Sequence, residues 1–245
     1  MELQKLFAQA RVEKGKPYNF LKMVGGRYQI DTKDPFLKLF VQNLFTQKIS
    51  DGGLVFKVPK SVLYPIIIDI DLDLSANITH DVEQDYYDLA SQILPIFQSV
   101  VGNEEVEVLM SRRPEPSYQK KEHLWRAGCH LYILGSYSLS VSRTLRQKCL
   151  EAFSFKEFFQ GRWGDIVLSE ESKIYDKHLS ERGNGVVLIG GVKPMIKAGA
   201  HFIFFHASWR NAWGNVRFLK KGWQFENDEM RQTFSGIFDL SLIHI

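Results

Sequence analysis

Three aspartates alternate with apolar residues in the segment 64–74, Tyr-Pro-Ile-Ile-Ile-Asp-Ile-Asp-Leu-Asp-Leu. The β-branched run predicts a strand, which puts Asp69, Asp71 and Asp73 on one face at a repeat of about 6.5–7 Å. Such carboxylates repel one another unless a cation lies among them, and hard divalent ions such as Mg²⁺ and Mn²⁺ prefer oxygen ligands. A solvated edge strand is the alternative, but the isoleucine run favours a buried central strand that carries metal.

Asp176 is the candidate for a third ligand, by its position at the end of the segment 173–176. Enzymes that transfer nucleotidyl groups hold two ions about 3.5–4 Å apart with carboxylates that converge from different strands. Asp69 and Asp71 supply two of these carboxylates, so another must come from elsewhere in the chain. A lone aspartate at a strand end is more often a cap or turn residue, which is the alternative for Asp176.

A second set of polar residues lies in the segment 126–133, Arg-Ala-Gly-Cys-His-Leu-Tyr-Ile. Strand alternation puts His130 and Tyr132 on one face and apolar side chains on the other. Gly128 has no Cβ and would let a ligand approach the backbone closely. The alternatives are a hydrogen-bonded structural histidine and, for Arg126, a solvated surface charge.

The chain from Arg182 to Phe225 contains no aspartate or glutamate, which favours a polyanionic partner such as nucleic acid or a nucleoside triphosphate. A glycine-bracketed strand near its start leads to Lys193 without matching a Walker A loop, and a simple hairpin strand is the alternative there. Farther on, tryptophans mix with cations, a composition that holds single-stranded nucleic acid without sequence preference. The predicted DNA-binding residues are Trp209, Arg210, Arg217, Lys220 and Lys221. Tryptophans buried in a hairpin core would explain the rings equally well.

The composition is that of a globular protein: 245 residues, 44% hydrophobic and 13% aromatic, with a formal charge of +3. No run approaches the length of a membrane span, and the N-terminus lacks the apolar stretch of a signal peptide. Two cysteines, Cys129 and Cys149, fit a reducing compartment and exclude a four-cysteine zinc site. The sequence therefore predicts an intracellular protein with no membrane partner.

Interleaved helices and short strands predict an α+β fold with mixed or antiparallel sheets covered by helices. The predicted helices cover residues 2–13, 35–48, 80–100, 139–159 and 228–238. The predicted strands cover residues 54–58, 64–74, 105–110, 129–134, 186–189 and 201–206, with a polar loop over 111–125. As domain organisation we expect one catalytic domain made of an N-terminal α/β part (1–60), a core (61–205) and a basic, aromatic C-terminal part (206–245).

These segments together resemble the archaeo-eukaryotic primase superfamily, and most closely its branch from large DNA viruses, the poxvirus-type primase–helicases. The first motif of that family is an apolar run followed by Asp-x-Asp, matched by residues 66–71, and the viral proteins often carry a further aspartate, matched by Asp73. The second motif is a small residue two positions before a histidine, with a basic residue upstream. Arg126, Gly128 and His130 match it.

The third motif is an apolar residue and an aspartate, followed by an apolar strand that reaches glycine and then lysine or arginine. Tyr175 and Asp176 match its start, and residues 186–193 match its strand. The chain departs from the pattern at Val187, where poxvirus-type sequences usually carry arginine. Arg182 is the candidate to take over that role.

The resemblance implies a small N-terminal α/β unit packed on a catalytic unit related to RNA-recognition motifs. It implies a DNA primase or primase–polymerase that joins nucleoside triphosphates on a single-stranded DNA template. The implied ligands of two divalent cations, Mg²⁺ or Mn²⁺, are Asp69, Asp71 and Asp176. The implied nucleotide-binding residues are Arg126, Gly128, His130, Arg182 and Lys193.

A helicase, in the same chain or in another, is the partner that the resemblance implies. Helicases need a Walker A motif, which this sequence lacks. The apolar ending at residues 240–245 has no stop signal, so we expect the sequence to be the N-terminal piece of a longer primase–helicase.

Three other functions compete with this interpretation. A nucleotidyltransferase of the polymerase-beta type needs a helix between Gly-Gly and Asp-x-Asp, but residues 57–60 contain Pro59 and form a poor helix. A metal-dependent nuclease typically needs Glu-x-Lys on the next strand, where Glu105 and Glu107 occur without a lysine. A non-catalytic single-strand-binding module is the third, although aspartates beside a phosphate backbone would weaken its binding.

Overall fold

The computed structural model describes residues 3–18, 20–22, 25–29, 54–57, 63–181, 185–187 and 202–219. Within these ranges the chain forms antiparallel sheets and helices, which confirms the α+β class. The helices predicted over 35–48 and 228–238 lie outside them. None of the described helices has the length and apolar character that crossing a membrane requires.

Both kinds of element follow in chain order. The strands are β1 (Arg11–Val12), β2 (Phe20–Lys22), β3 (Arg27–Tyr28), β4 (Leu54–Lys57), β5 (Tyr64–Leu74), β6 (Val106–Arg112), β7 (Ser117–Gln119), β8 (Leu124–Tyr137), β9 (Gly185–Val187), β10 (Phe202–Trp209) and β11 (Trp213–Phe218). The α-helices are α1 (Leu3–Gln9), α2 (Glu83–Val101), α3 (Leu139–Ala152), α4 (Phe155–Trp163), α5 (Glu171–Ile174) and α6 (Lys177–Glu181).

The larger sheet has the strand order β11-β10-β6-β8-β5, and β7 pairs with β8 outside this path. The segment predicted as a polar loop over 111–125 therefore contains β7 and the beginning of β8. One face of the sheet packs on α2, α3 and α4, and the apolar residues of β5 that point to these helices are at most 1% exposed. They are Ile66, Ile68, Ile70, Leu72 and Leu74. This predicted core face is confirmed.

β5 is the last strand of this order, so the prediction of a central strand is wrong. Its outer edge is covered by the segment 166–176, which makes isolated antiparallel bridges to it. The bridges join Ile70 to Tyr175 and Leu74 to Val167. Because this segment supplies the missing hydrogen bonds, an isoleucine-rich strand at the end of the order remains buried.

The helix predicted over 139–159 is two helices, α3 and α4. The break lies at Phe153 and Ser154, both in extended conformation. The Ser154 hydroxyl accepts a hydrogen bond from the backbone N–H of Glu157, which caps the new helix. The serine therefore favours a helix start over continuation of α3.

The smaller sheet has the order β1-β3-β2-β4-β9. Phe7 of α1 packs edge-on against Phe20 of β2 and Tyr28 of β3, with ring centroids 6.4 and 5.0 Å apart. β9 pairs with β4, although the two strands are far apart in the sequence, with Val55 opposite Val187. A boundary at residue 60 therefore does not separate the two sheets, because one strand of the smaller sheet comes from the range predicted as the core.

Candidate metal centre

The acidic face of β5 points away from the helix layer, as alternation predicted. Asp71 is exposed there, while the side chains of Asp69 and Asp73 are 18% and 33% exposed. The strand thus has one apolar face that packs on the helices and an opposite face whose carboxylates can be reached by ions from solvent. The placement suits ion binding because solvated cations can reach the ligands without crossing the core.

Asp176 joins this face through the segment that covers the edge of β5. Its backbone N–H donates to the carbonyl of Asp69 at 2.9 Å, next to the bridge between Ile70 and Tyr175. Its Oδ1 accepts a hydrogen bond from the backbone N–H of His178 at 2.7 Å, which orients the carboxylate. Asp176 is therefore also a turn residue, so both sequence interpretations apply to it.

Tyr175 anchors the position of Asp176. Its side chain is fully buried, with its ring 5.7 Å from that of Phe155. Arg146 donates from Nε to the Tyr175 carbonyl at 3.0 Å, and its guanidinium lies 5.6 Å from the tyrosine ring. Because the residue directly before it is buried, Asp176 is held at a defined position along β5, next to Asp69.

Asp69, Asp71 and Asp176 each offer a carboxylate oxygen, and these oxygens lie within 4.8 Å of one another. Opposite ligands of one Mg²⁺ are about 4.2 Å apart when each metal–oxygen distance is about 2.1 Å. At an effective dielectric constant of about 20, each pair of these charges would repel by roughly 3–4 kcal/mol. All-oxygen ligands, close spacing and mutual repulsion fit a hard divalent cation, so this triad could bind a metal.

His130 lies directly opposite Asp69 in the β5–β8 register. Its Nε2 is 3.2 Å from Asp69 Oδ1, and its Nδ1 is 3.1 Å from the hydroxyl of Tyr132. Burial raises the pKa of the Tyr132 hydroxyl, so this group stays protonated and can donate to Nδ1. With hydrogen on Nε2, His130 donates to Asp69 and orients a carboxylate of the triad.

Gly128 lies opposite Asp71 in the same register. A Cβ at this position would lie 2.1 Å from the carbonyl oxygen of Ile70, an approach that no side chain tolerates. The sequence predicted that glycine admits a ligand, whereas the group that approaches here is the backbone of β5. Glycine at 128 is thus required by strand packing, which draws β8 close to the acidic strand.

Arg126 lies opposite Asp73 and donates from Nε to Asp73 Oδ1 at 2.8 Å. Its Nη2 is 3.2 Å from Glu122, and the hydrogen bond to Asp73 is the main cause that raises the pKa of Arg126. The predicted phosphate contact would therefore have to compete with two carboxylates. Asp73 lies outside the acidic triad and serves as the partner of this arginine.

The residues of the β10–β11 hairpin that were predicted to bind DNA lie in different environments. Trp209 is 5% exposed and packs edge-on against Trp213 at 4.8 Å, so its ring belongs to the hydrophobic core. Its assignment as a base-stacking residue is therefore corrected in favour of the hairpin-core alternative. Arg210 and Arg217 are exposed and remain candidates for phosphate contacts.

Four more candidate residues lie outside the described part of the chain. They are Arg182, Lys193, Lys220 and Lys221. Their assignments to nucleotide and DNA binding stay predictions.

Sequence reasoning missed Arg113, which lies beside the acidic face. Its Nη1 donates to the Ser117 hydroxyl at 2.9 Å, and the charges of Asp71 and Asp69 act on its guanidinium. The sequence placed Arg113 in a polar loop, where a pair of arginines looks like ordinary surface charge. The pairing of β7 with β8 positions Ser117, the hydrogen-bond partner of this side chain, and that pairing is not visible in the sequence.

No protein-family model matches the chain, and a search of curated proteins found no match either.

Proposed function

We propose that the chain is the catalytic domain of a DNA primase or primase–polymerase of the archaeo-eukaryotic superfamily, joining ribo- or deoxynucleoside triphosphates on a single-stranded DNA template. The observation that carries the proposal is the convergence of Asp69 and Asp71 from β5 with Asp176 from the segment along its edge. The first and third motifs predicted this convergence from separate parts of the chain. A surface strand with unrelated acidic residues would not bring Asp176 to the same place.

The position of the second motif also supports the proposal. His130 meets Asp69 through a cross-strand pair, and Gly128 permits the close approach of β8 to β5. The first two motifs and the aspartate that opens the third therefore lie within one small part of the larger sheet, whereas β9, from the strand of the third motif, belongs to the smaller sheet. In a two-metal site the carboxylates must also be held by neighbours, which His130 and the backbone N–H of His178 do here.

The order of elements around β5 is a further support. Apart from the short β7, the chain runs β5, α2, β6, β8, α3 and α4, and then the bridging segment 166–176, which resembles a β-α-β-β-α-β succession. The bridging segment lies along one edge of β5, and β8 pairs with the other edge. β6 then pairs with the far edge of β8. This is the arrangement expected of a catalytic unit related to RNA-recognition motifs, with a rudimentary last strand.

In the proposed reaction a 3′-hydroxyl oxygen forms a bond to the α-phosphorus of a nucleoside triphosphate. The bond from that phosphorus to the oxygen bridging the β-phosphate breaks, pyrophosphate leaves, and the hydroxyl proton passes to solvent. Two divalent cations, when bound, would activate the hydroxyl and neutralise the phosphates. Asp69, Asp71 and Asp176 would hold the ions, and His130 would keep Asp69 oriented.

The decisive experiment is synthesis on single-stranded DNA from labelled nucleoside triphosphates with Mn²⁺ or Mg²⁺. Asp71→Asn should lower product formation by at least about 100-fold, since one charged ligand is lost. Asp165→Asn is the matched control, because this aspartate is exposed and lies outside the triad. Equal activity of Asp71→Asn and the control would contradict the proposal.

The same assay separates the competing functions. Nucleotide release from DNA without any added triphosphate, lost in Asp71→Asn, would identify a nuclease instead. DNA binding without synthesis, unaffected by Asp71→Asn, would identify a non-catalytic binding module.

A further inference from the structure

The segment 166–176, which brings Asp176 to β5, has little regular structure of its own. It pairs with the strand through two isolated bridges and contains the short helix α5. A helix of four residues is far below the length at which a helix is stable by itself in water. The position of Asp176 therefore depends on contacts between this segment and the rest of the fold.

Glu171, the first residue of α5, binds the N-terminus of α4 through its carboxylate. Oε1 accepts a hydrogen bond from the backbone N–H of Phe155 at 2.6 Å. Oε2 accepts from the backbone N–H of Lys156 at 2.8 Å and from the hydroxyl of Ser154 at 2.9 Å. The first N–H groups of a helix lack partners within it and form the positive end of its dipole, so they favour an anion. These three donors fix the start of α5 against α4.

Arg146 of α3 binds the other end of α5. Its Nη2 donates to the carbonyl of Ser172 at 3.1 Å, and its Nε donates to the carbonyl of Tyr175 at 3.0 Å. The last carbonyls of a helix lack partners within it, so the guanidinium supplies two hydrogen bonds that α5 cannot make for itself. The second of these carbonyls belongs to the residue directly before Asp176.

The burial of Tyr175 shows why such contacts are needed. Its side chain is fully buried, but within the described structure its hydroxyl has no hydrogen-bond partner. Burial therefore removes the hydration of this hydroxyl without replacing it, which opposes the docking of the segment. The hydrogen bonds of Glu171 and Arg146 act in the opposite direction.

We infer that Glu171 and Arg146 are positioning residues for the metal centre. Acting through α5, they keep the carboxylate of Asp176 within reach of the two aspartates of β5. Neither residue belongs to the three motifs, and neither is a member of the acidic triad. The inference rests on the metal-binding part of the proposed function and is independent of the reaction.

Metal binding and docking of the segment are then linked. Asp176 can act as a ligand only while the segment is docked, so a bound cation must stabilise the docked arrangement by mass action. The effect should reach the hydrogen bonds between Glu171 and α4, which lie at the end of α5 opposite to Asp176. The amide hydrogens of Phe155 and Lys156 report on it.

Electron paramagnetic resonance of Mn²⁺ measures the effect on affinity. Arg146→Met and Glu171→Gln should each weaken Mn²⁺ binding about 10-fold, the lower range for loss of a group that orients a ligand. Arg146→Lys should restore part of the affinity, because an ammonium can still donate to one of the two carbonyls.

Two other ion-paired residues provide matched controls. Arg162 on α4 pairs with Asp85 and Asp88, and in the described structure none of its hydrogen bonds or ion pairs reaches the segment 166–176. Glu83 on α2 pairs with Arg112 of β6. Arg162→Met and Glu83→Gln remove comparable contacts elsewhere and should bind Mn²⁺ as the parent does.

Hydrogen exchange followed by mass spectrometry tests the linkage. In the parent, Mn²⁺ should slow exchange in a peptide that begins with residues 155 and 156. In Asp176→Asn, Mn²⁺ should leave this exchange unchanged, because the segment no longer carries the charged ligand. Contacts that only stabilise the fold would give the same exchange with and without Mn²⁺.

Each outcome decides the inference. It is overturned if Arg146→Met and Glu171→Gln bind Mn²⁺ as tightly as the parent, since the strand bridge alone would then position Asp176. Equal weakening in the controls, exchange that Mn²⁺ does not slow, or a parent that does not bind Mn²⁺ would also overturn it. Mn²⁺ binding that depends on both residues, in a parent that synthesises nothing, would support the inference while the primase proposal fails.

Discussion

β5 and the β10–β11 hairpin both combine charged residues with large apolar ones, yet they place them differently. From Asp69 to Asp73 of β5 every second residue is an aspartate, and these side chains lie on one accessible face. In the hairpin, Trp209 lies in the core, whereas the next residue, Arg210, is exposed. Strict alternation over residues 68–74 determines which side chains share a face, whereas in a short mixed hairpin tertiary packing decides whether each aromatic ring is buried.

The two regions also differ in what holds them. β5 has backbone partners on both edges, β8 along its length and the bridging segment at two points. β11 pairs with β10 alone within the described residues, and its outer residues Val216 and Phe218 are 40% and 49% exposed. A strand with partners on both sides can hold three carboxylates at fixed distances. An exposed outer strand suits contacts that need less precision.

The largest expected effect tests the hairpin. Trp209→Ala should lower the free energy of unfolding by about 3–5 kcal/mol, because it empties a core position. Trp209→Phe should cost much less, since the indole Nε1 is buried and has no hydrogen-bond partner in the described structure, so its removal relieves an unsatisfied donor. Chemical denaturation of both variants measures this. A loss of DNA affinity at unchanged stability would instead restore the base-stacking role.

The next largest effect concerns β5 and is the gain in thermal stability when metal binds. Mn²⁺ at about 100 times its dissociation constant should stabilise the parent by about 2.7 kcal/mol, or raise Tm by roughly 5–10 °C. Asp71→Asn should lose this stabilisation by Mn²⁺, because one charged ligand of the triad is gone. Thermal unfolding with and without Mn²⁺ provides both values. An equal Tm rise in both proteins would exclude Asp71 as a ligand.

Sequence reasoning predicted the triad because alternation and motif order both depend on local spacing. Asp69 and Asp71 follow from the period of a strand, and Asp176 follows from the resemblance. The edge position of β5 could not be predicted, because its covering segment consists of isolated bridges and the short helix α5, without strand periodicity. Local pattern thus identified the candidate ligands but not the segment that brings the third one to β5.

The roles of Arg113 and Gly128 could not be predicted from the sequence. Their roles depend on which strand lies next to β8, and a strand pairing between distant segments leaves no mark on either residue. A glycine opposite a carbonyl and a glycine beside a ligand look identical in a sequence. The register between β5 and β8 distinguishes them, since it brings the Ile70 carbonyl against position 128.

A smaller effect concerns the orientation of Asp69. Tyr132→Phe removes the donor to His130 Nδ1, which frees the imidazole to change tautomer. Mn²⁺ binding should weaken about 10-fold, the lower range for loss of a group that orients a ligand. Electron paramagnetic resonance of Mn²⁺ measures the affinity, and Tyr118→Phe is a matched control on an exposed tyrosine. Unchanged Mn²⁺ affinity in Tyr132→Phe would show that the tyrosine has no orienting role.

The smallest effect returns to the hairpin. Arg210→Ala and Arg217→Ala should each change stability by no more than about 0.5 kcal/mol, because both side chains are exposed. If they contact DNA phosphates, each substitution should weaken single-strand binding and lower the slope of log affinity against log salt by about 0.7. Fluorescence anisotropy at several salt concentrations measures that slope, with Arg143→Ala as the control on a different surface. An unchanged slope in both variants would remove the hairpin from the DNA-binding surface and leave the acidic face of β5 as the part of the described structure that the primase proposal needs.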